Sequence, residues 1–141
     1  MLAAIVIVAY NGITASANDS KRVSDLRSLA KVIEIYKVEN GGYPRCGATG
    51  PNTTPSLSSG TAQACLADEL VPDYIGAIPV DPTNSGSYVY RYAAGYRQTG
   101  TTSFTGTPAS DNYILGVRLD GTTSPTYSGW GFSDLTYLTG S

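Results

Sequence analysis

The sequence contains no histidine, two cysteines and few charged residues. Without histidine the commonest general base is missing, and no serine or threonine lies in a nucleophile motif, so no enzymatic activity is expected. Two cysteines cannot supply a zinc site on their own, and no phosphate-binding glycine loop or dinucleotide fingerprint is present, so we expect no metal and no cofactor. Charged residues make up 14% of the chain with a net charge of −2, which gives no electrostatic footprint for nucleic acid.

Apolar residues make up 41% of the 141 residues, enough for a folded domain. Glycine, serine, threonine, asparagine and tyrosine are abundant, whereas lysine and glutamate are scarce. This composition is typical of a secreted, loop-rich domain that contains β-structure. The length allows one domain with a helical extension.

The first forty residues predict one helix with two unlike halves. Leu2 to Ala9 is apolar on every face, whereas Asn18 to Asn40 is amphipathic. The apolar stripe of the second half consists of Val23, Leu26, Leu29, Ala30, Val32, Ile33 and Tyr36. Arg22, Asp25, Lys31, Glu34 and Lys37 are expected mostly off that stripe.

A continuous helix from residue 2 to 40 is about 58 Å long at 1.5 Å per residue. A domain of about a hundred residues has a radius of gyration of only about 13 Å. The apolar end therefore projects, and either a lipid bilayer or copies of the same helix must bury it. We predict an assembly interface on residues 2 to 17, carried by Leu2, Ile5, Val6, Ile7, Val8, Tyr10 and Ile13. Packing within the subunit is predicted for Val23, Leu26, Ala30, Ile33 and Tyr36.

The two cysteines, Cys46 and Cys65, flank a stretch rich in glycine, serine, threonine and proline. We predict a disulfide that closes this loop, worth roughly 3 kcal/mol in the chain-entropy model, and therefore an oxidising compartment. Two unpaired thiols are the alternative, disfavoured because the loop has few apolar residues to hold it.

The remaining elements are predicted from the positions of turn-forming residues and from the alternation of side chains between the two faces of a strand. The helix is expected to end at Asn40-Gly41, because glycine is the usual helix stop and Pro44 forbids resumption. The further predictions are a loop at 45–64, a short helix at 65–71, an extended segment at 73–82, strands at 87–94, 112–119 and 130–138, and surface loops at 95–110 and 121–129. This order gives an α+β domain with the helix packed across an antiparallel sheet.

Several motifs together resemble the type IV pilins and the pseudopilins of type II secretion. The matching segments are Met1 to Tyr10, Asp19 to Leu26, Glu39 to Pro44 (ENGGYP), Leu70 to Ile75 (LVPDYI), Ile78 to Pro82 (IPVDP) and Tyr88 to Tyr90. The resemblance covers residues 1 to about 92 and is generic beyond them.

The resemblance implies a long N-terminal helix (1–42, with 1–17 projecting and 18–42 packed), an intervening region with the disulfide (43–86) and an antiparallel sheet of three or four strands (87–141). It also implies a structural subunit, a major pilin, of a cell-surface filament. Its partners would be identical subunits, the inner or cytoplasmic membrane before assembly, and the pilus assembly machinery.

One departure from the family concerns the N-terminus. The family's mature chain begins with a methylated phenylalanine and carries a glutamate a few residues later, and neither is present here. The apolar run of about ten residues is shorter than the roughly 20 that span a bilayer. We therefore expect that about a dozen helical residues and a leader precede Met1.

Two other functions stay open: a pseudopilin that helps to export folded proteins, and a membrane-proximal domain that binds carbohydrate or protein. The turn after Asp120 could hold calcium together with Asp134, but a plain turn is favoured because acidic residues are few. Gly12 weakens the helix locally, by up to about 1 kcal/mol relative to alanine. We nevertheless expect the helix to remain largely continuous, because Val8 stands where the family usually has proline.

Overall fold

The computed structural model describes residues 2–46, 61–86, 88–98, 104–106, 112–120 and 135–140. Two helices and five strands lie within these residues: α1 (Leu2–Asn40), α2 (Thr61–Leu70), β1 (Arg91–Ala94), β2 (Tyr96–Gln98), β3 (Phe104–Gly106), β4 (Tyr113–Arg118) and β5 (Leu135–Gly140). The α+β class and the long N-terminal helix are thereby confirmed.

Helix α1 is unbroken over 39 residues, including Gly12. It ends where the sequence predicts, because Gly41 adopts a φ of +76° and its amide donates to the Lys37 carbonyl at 2.8 Å. This is the glycine cap in which one left-handed residue satisfies a terminal carbonyl. Pro44 follows the cap and prevents the helix from resuming.

The described strands form two antiparallel sheets. One has the order β1–β4–β5, with Tyr92 paired to Leu115 and Leu115 paired to Leu138. The other is the pair β2–β3, in which Tyr96 lies opposite Gly106. Strand β2 also contacts β4 and β5, so the small pair lies against the larger sheet.

The prediction of a surface loop at 95–110 was wrong, because β2 and β3 form within it. Gly95, with a φ of +85°, turns the chain between β1 and β2. The tyrosine and phenylalanine that follow favour extended backbone, a preference hidden by the glycines and threonines around them.

Three element boundaries also differ from the prediction. Helix α2 begins at Thr61 rather than Cys65, because Ala62-Gln63-Ala64 favours helix. Strand β1 begins only at Arg91, because Tyr88 pairs locally with Ser85 around Gly86, whose φ is +59°. Strand β5 extends to Gly140, whereas residues 130–134 of the predicted strand lie outside the described residues.

The core lies between the second half of α1, helix α2 and the larger sheet. Its buried members are Leu26, Leu29, Ile33, Tyr43, Cys46, Leu66, Leu70, Ile78, Tyr90, Tyr92, Tyr113, Leu115 and Val117. Among the side chains of α1 described from Gly12 to Asn40, the core includes only residues from Leu26 onward.

Candidate functional site: the two parts of the long helix

The first part of α1, residues 2–21, contributes none of its described side chains to the buried core. No side chain from Gly12 to Lys21 is buried, and Ile13 is 70% exposed. The side chains of the other predicted assembly residues lie outside the described part of the structure: Leu2, Ile5, Val6, Ile7, Val8 and Tyr10. Among the side chains of α1 that the structure describes, which begin at Gly12, Arg22 is the first that is buried, and Leu2 lies about 30 Å from it at 1.5 Å per residue.

The second part of α1 holds the residues predicted to pack within the subunit. Leu26 and Ile33 are fully buried, and Ala30 and Tyr36 pack against the core while half-buried. Val23 is half-buried as well, but it lies outside the core cluster and lines a groove along α1. About 60° around the helix from Leu26, Val23 lies at the edge of the apolar stripe.

Arg22 is fully buried, although the sequence pattern placed it on the polar face. Its guanidinium donates to Asp81 through Nε at 2.8 Å and through Nη2 at 3.3 Å, and Nη2 also donates to Thr83 Oγ1 at 3.0 Å. Nη1 donates to Asp19 at 2.8 Å and to Asp120 at 2.9 Å. Three carboxylates thus share one cation, and we call these residues, with Thr83 and Tyr88, the Arg22 cluster.

The partners of Arg22 come from three separate parts of the chain. Asp81 follows Pro79-Val80 and is itself held by the amides of Thr83 at 2.8 Å and Asn84 at 3.4 Å. Asp120 follows β4, and its amide donates to Asp19 at 2.9 Å. The cluster therefore joins the middle of α1 to the segment before the sheet and to the end of β4.

Tyr88 is the last member of the cluster and contacts it through its hydroxyl and its ring. Its hydroxyl donates to Asp120, and its ring centroid lies 4.7 Å from the Cζ atoms of both Arg22 and Arg118. Such cation–π contacts gain strength when the cation is desolvated.

Burial of Arg22 disfavours its charged form, but the hydrogen bonds to Asp81, Asp120 and Asp19 outweigh burial and raise its pKa. The hydrogen bond from Tyr88, followed by those from Arg22, lowers the pKa of Asp120. Arg22 and Asp120 are consequently both charged at neutral pH.

Sequence reasoning missed the burial of Arg22, but a signal for it was present. Arg22, Leu26, Leu29 and Ile33 follow one another at spacings of four, three and four, so they share one face of the helix. An arginine in that position is buried only if carboxylates reach it, and Asp81 within the IPVDP motif is one of the three that do so.

Two tyrosines, Tyr90 just before β1 and Tyr92 within it, reach α1 and the segment that follows its cap. Tyr90 donates to Asp25 at 2.7 Å, and Tyr92 donates to the Pro44 carbonyl at 2.7 Å. Both rings are buried, and burial raises the pKa of both phenols. Each buried hydroxyl thus has a partner, as buried tyrosines usually do.

The end of α1 carries a second set of polar contacts that we call the tyrosine–glutamate pairs. Tyr36 donates to Glu69, Tyr74 donates to Glu39 at 2.6 Å, and the Tyr43 hydroxyl donates to Glu34 at 3.1 Å. The carboxylates of the first two pairs belong to exposed residues.

The predicted disulfide is confirmed. Cys46 and Cys65 are bonded, with 5.6 Å between their Cα atoms, and they connect the segment after α1 to helix α2.

The described residues contain no group of three histidine, cysteine or acidic side chains arranged to hold a metal ion. Asp120 takes part in the Arg22 cluster, whereas Asp134 lies outside the described residues. None of the described helices is long and apolar enough to cross a membrane.

Comparisons of the chain with protein-family models, with curated proteins and with solved structures find no match.

Proposed function

We propose that this chain is a structural subunit, of the major pilin kind, of an extracellular type IV pilus. The first part of α1 mediates polymerisation, and the domain built around the second part forms the outer surface. Before assembly, the subunit is anchored in the inner or cytoplasmic membrane by its helix and is handled by a pilus assembly machinery.

The observation that carries the proposal is the unbroken helix in which none of the described side chains before Arg22 is buried. The sequence LAAIVIVA lies at the far end of that helix, about 20 residues from the core. An apolar helix end has to be removed from water, because each Å² of apolar surface buried contributes about 25 cal/mol. Copies of the same helix provide that environment repeatedly, and a filament buries every copy but the terminal ones.

The architecture of the domain supports the same function. Within the described residues, the core and the Arg22 cluster hold the domain against the second part of α1. The disulfide connects the segment after α1 to helix α2. A subunit with a rigid domain at one end of a helix and an apolar surface at the other can polymerise without refolding.

The test is the substitution Ile5→Asp in the cells that produce the protein, with Ile5→Leu as the matched control. We expect Ile5→Asp to abolish surface filaments, because it places a carboxylate in the apolar interface, whereas Ile5→Leu keeps them. The subunit itself should stay folded, with an unchanged Tm. Ile33→Asp should instead unfold the domain, because Ile33 is fully buried in the core.

Normal filaments from Ile5→Asp would contradict the assembly interface. Wild-type cells that carry no long surface filaments, and that fail to export a folded protein when the gene is deleted, would point to a pseudopilin instead.

A further inference from the structure

The side of α1 that faces away from the core carries two exposed cations, Arg27 and Lys31. They are four residues apart and therefore neighbours on one face. Neither has an ion-pair partner among the described residues, whereas the nearby Lys21 is paired with Asp25 at 2.6 Å. Both cations line a groove of about 960 Å³ along α1, together with the small side chains of Ser20, Ser24 and Ser28.

The opposite charge is concentrated where α2 meets the end of α1. Glu39, Asp68, Glu69 and Asp73 are all exposed there, and we call these four residues the acidic patch. Within the described part of the chain, none of the four forms a salt bridge. The charge of Glu69 acts on its surroundings, because its hydrogen bond with Tyr36 raises the pKa of that phenol to about 12.

The cations and the acidic patch lie on different sides of the helix. Tyr36, which bonds to Glu69, marks the side of α1 that α2 covers. Arg27 is nine residues from Tyr36, or about 2.5 turns, and therefore lies on the opposite side of the helix. Lys31 is five residues away, about 140° around the axis. Glu39, the patch member on α1 itself, is eight residues from Lys31, about 80° around the axis and about 12 Å along it. Within the described part of the chain, the two sets of charges form no salt bridge with each other.

Two complementary patches on different sides of one molecule are suited to a head-to-tail contact. Such heterologous contacts leave one patch free at each end, so they generate open filaments when the rotation between copies does not close a ring. A symmetric dimer formed through either patch on its own would instead place like charges against each other.

We propose that Arg27 and Lys31 of one subunit bind the acidic patch of a second copy of this chain. This proposal rests on the filament function proposed above and identifies a second contact, apart from the apolar helix ends. If the α1 helices of the two subunits run parallel, one subunit is displaced from the other along the helix axis. The displacement equals the axial distance between the two cations and the acidic patch of one subunit. From Lys31 and Arg27 to Tyr36, that distance is roughly 8 to 14 Å.

Charge reversal and rescue test the contact in cells. We expect Arg27→Glu with Lys31→Glu to lower the yield of sheared filaments by about tenfold or more, because like charges then face each other. Asp68→Lys with Asp73→Lys should cause the same loss. The chain with all four substitutions should recover filaments, because the pairing is restored with the signs exchanged.

Arg45→Glu is the matched control, since Arg45 is an exposed cation outside α1. It should leave the filament yield unchanged. All variants should keep the wild-type Tm, because the substituted side chains are exposed. In addition, salt should raise the subunit concentration needed for wild-type filaments and should have less effect on Arg27→Gln with Lys31→Gln.

Filaments of normal yield from either charge-reversed pair would overturn the contact, as would failure of the fourfold variant to recover them. In both cases wild-type filaments remain, so the proposed function is unaffected. Wild-type cells without filaments would overturn the function and the contact together.

Discussion

The second part of α1 is held to the domain at two levels by two different kinds of polar contact. Near its start, the Arg22 cluster removes a guanidinium and the Asp81 carboxylate entirely from water. Near its end, the tyrosine–glutamate pairs join α1 to α2 through Glu69 and to the segment after α2 through Glu39, and both glutamates remain exposed. A buried charge that loses its partner stays desolvated, whereas an exposed one regains water. Loss of the first contact should therefore lower the free energy of unfolding strongly, whereas loss of the second should lower it little.

The strongest test of this difference is Arg22→Ala. It leaves three carboxylates around an emptied site, and removal of one partner from a buried ion pair costs about 3–5 kcal/mol. We expect a loss of that size in the free energy of unfolding, measured by chemical denaturation. Arg22→Lys should also destabilise, because an ammonium group cannot reproduce the forked contact with Asp81. A loss below about 1 kcal/mol for Arg22→Ala would show that the cluster is dispensable.

Removal of the disulfide should cause the next largest loss in the free energy of unfolding. Cys46→Ser with Cys65→Ser opens a loop of 19 residues, and we expect a loss of about 2–4 kcal/mol. The check is denaturation of the variant beside wild type with and without reductant. Reductant should destabilise only the wild type. Two free thiols in the unreduced, denatured wild-type protein would contradict the bond itself.

Matched hydroxyl deletions compare a buried tyrosine with an exposed pair directly. Tyr90→Phe removes the hydrogen bond from a buried tyrosine to the partly buried Asp25, and we expect a loss of about 1 kcal/mol. Tyr36→Phe removes the bond to the exposed Glu69 and should cost less than about 0.5 kcal/mol. Equal losses, measured by denaturation under the same conditions, would show that exposure does not distinguish the two contacts.

The smallest expected effect is a dependence of the free energy of unfolding on pH. Hydrogen bonding from Tyr88, and then from Arg22, holds the pKa of Asp120 below its usual value of 3.8. The folded-state pKa is therefore lower than the unfolded one. The resulting stability is present above pH 3.8 and is lost as the pH falls through the lower, folded-state pKa.

Tyr88→Phe isolates this contribution, since it keeps the ring against Arg22 and removes the donor to Asp120. The difference in unfolding free energy between wild type and this variant should be largest at neutral pH. It should shrink as the solution is acidified below the pKa of free aspartate. A difference that does not change with pH would contradict this origin.

Residues whose burial follows from local periodicity were predictable from the sequence. Leu26 and Ile33 are part of a helical stripe, and the end of α1 at Gly41 follows from the need for a left-handed residue at the cap. The disulfide was predictable as well, because the sequence offers only two cysteines and places them around one loop.

Features that depend on contacts between distant segments were not predictable in the same way. Burial of Arg22 requires Asp81 and Asp120, which lie 59 and 98 residues further along the chain. Strands β2 and β3 exist because they pair with each other and lie against the larger sheet, and their own residues are too few to show a pattern. The prediction failed wherever tertiary contacts decided the local structure.

The most direct test of the central claim is a map of the surface filaments at near-atomic resolution. We expect helix α1 of each subunit to line the filament centre, with residues 2–17 in contact with copies of themselves and the domains outside. The helix should remain largely continuous, with any stretching confined to its first few residues and Asn11-Gly12. A filament in which residues 2–17 face solvent, or one that does not contain this chain, would contradict the claim.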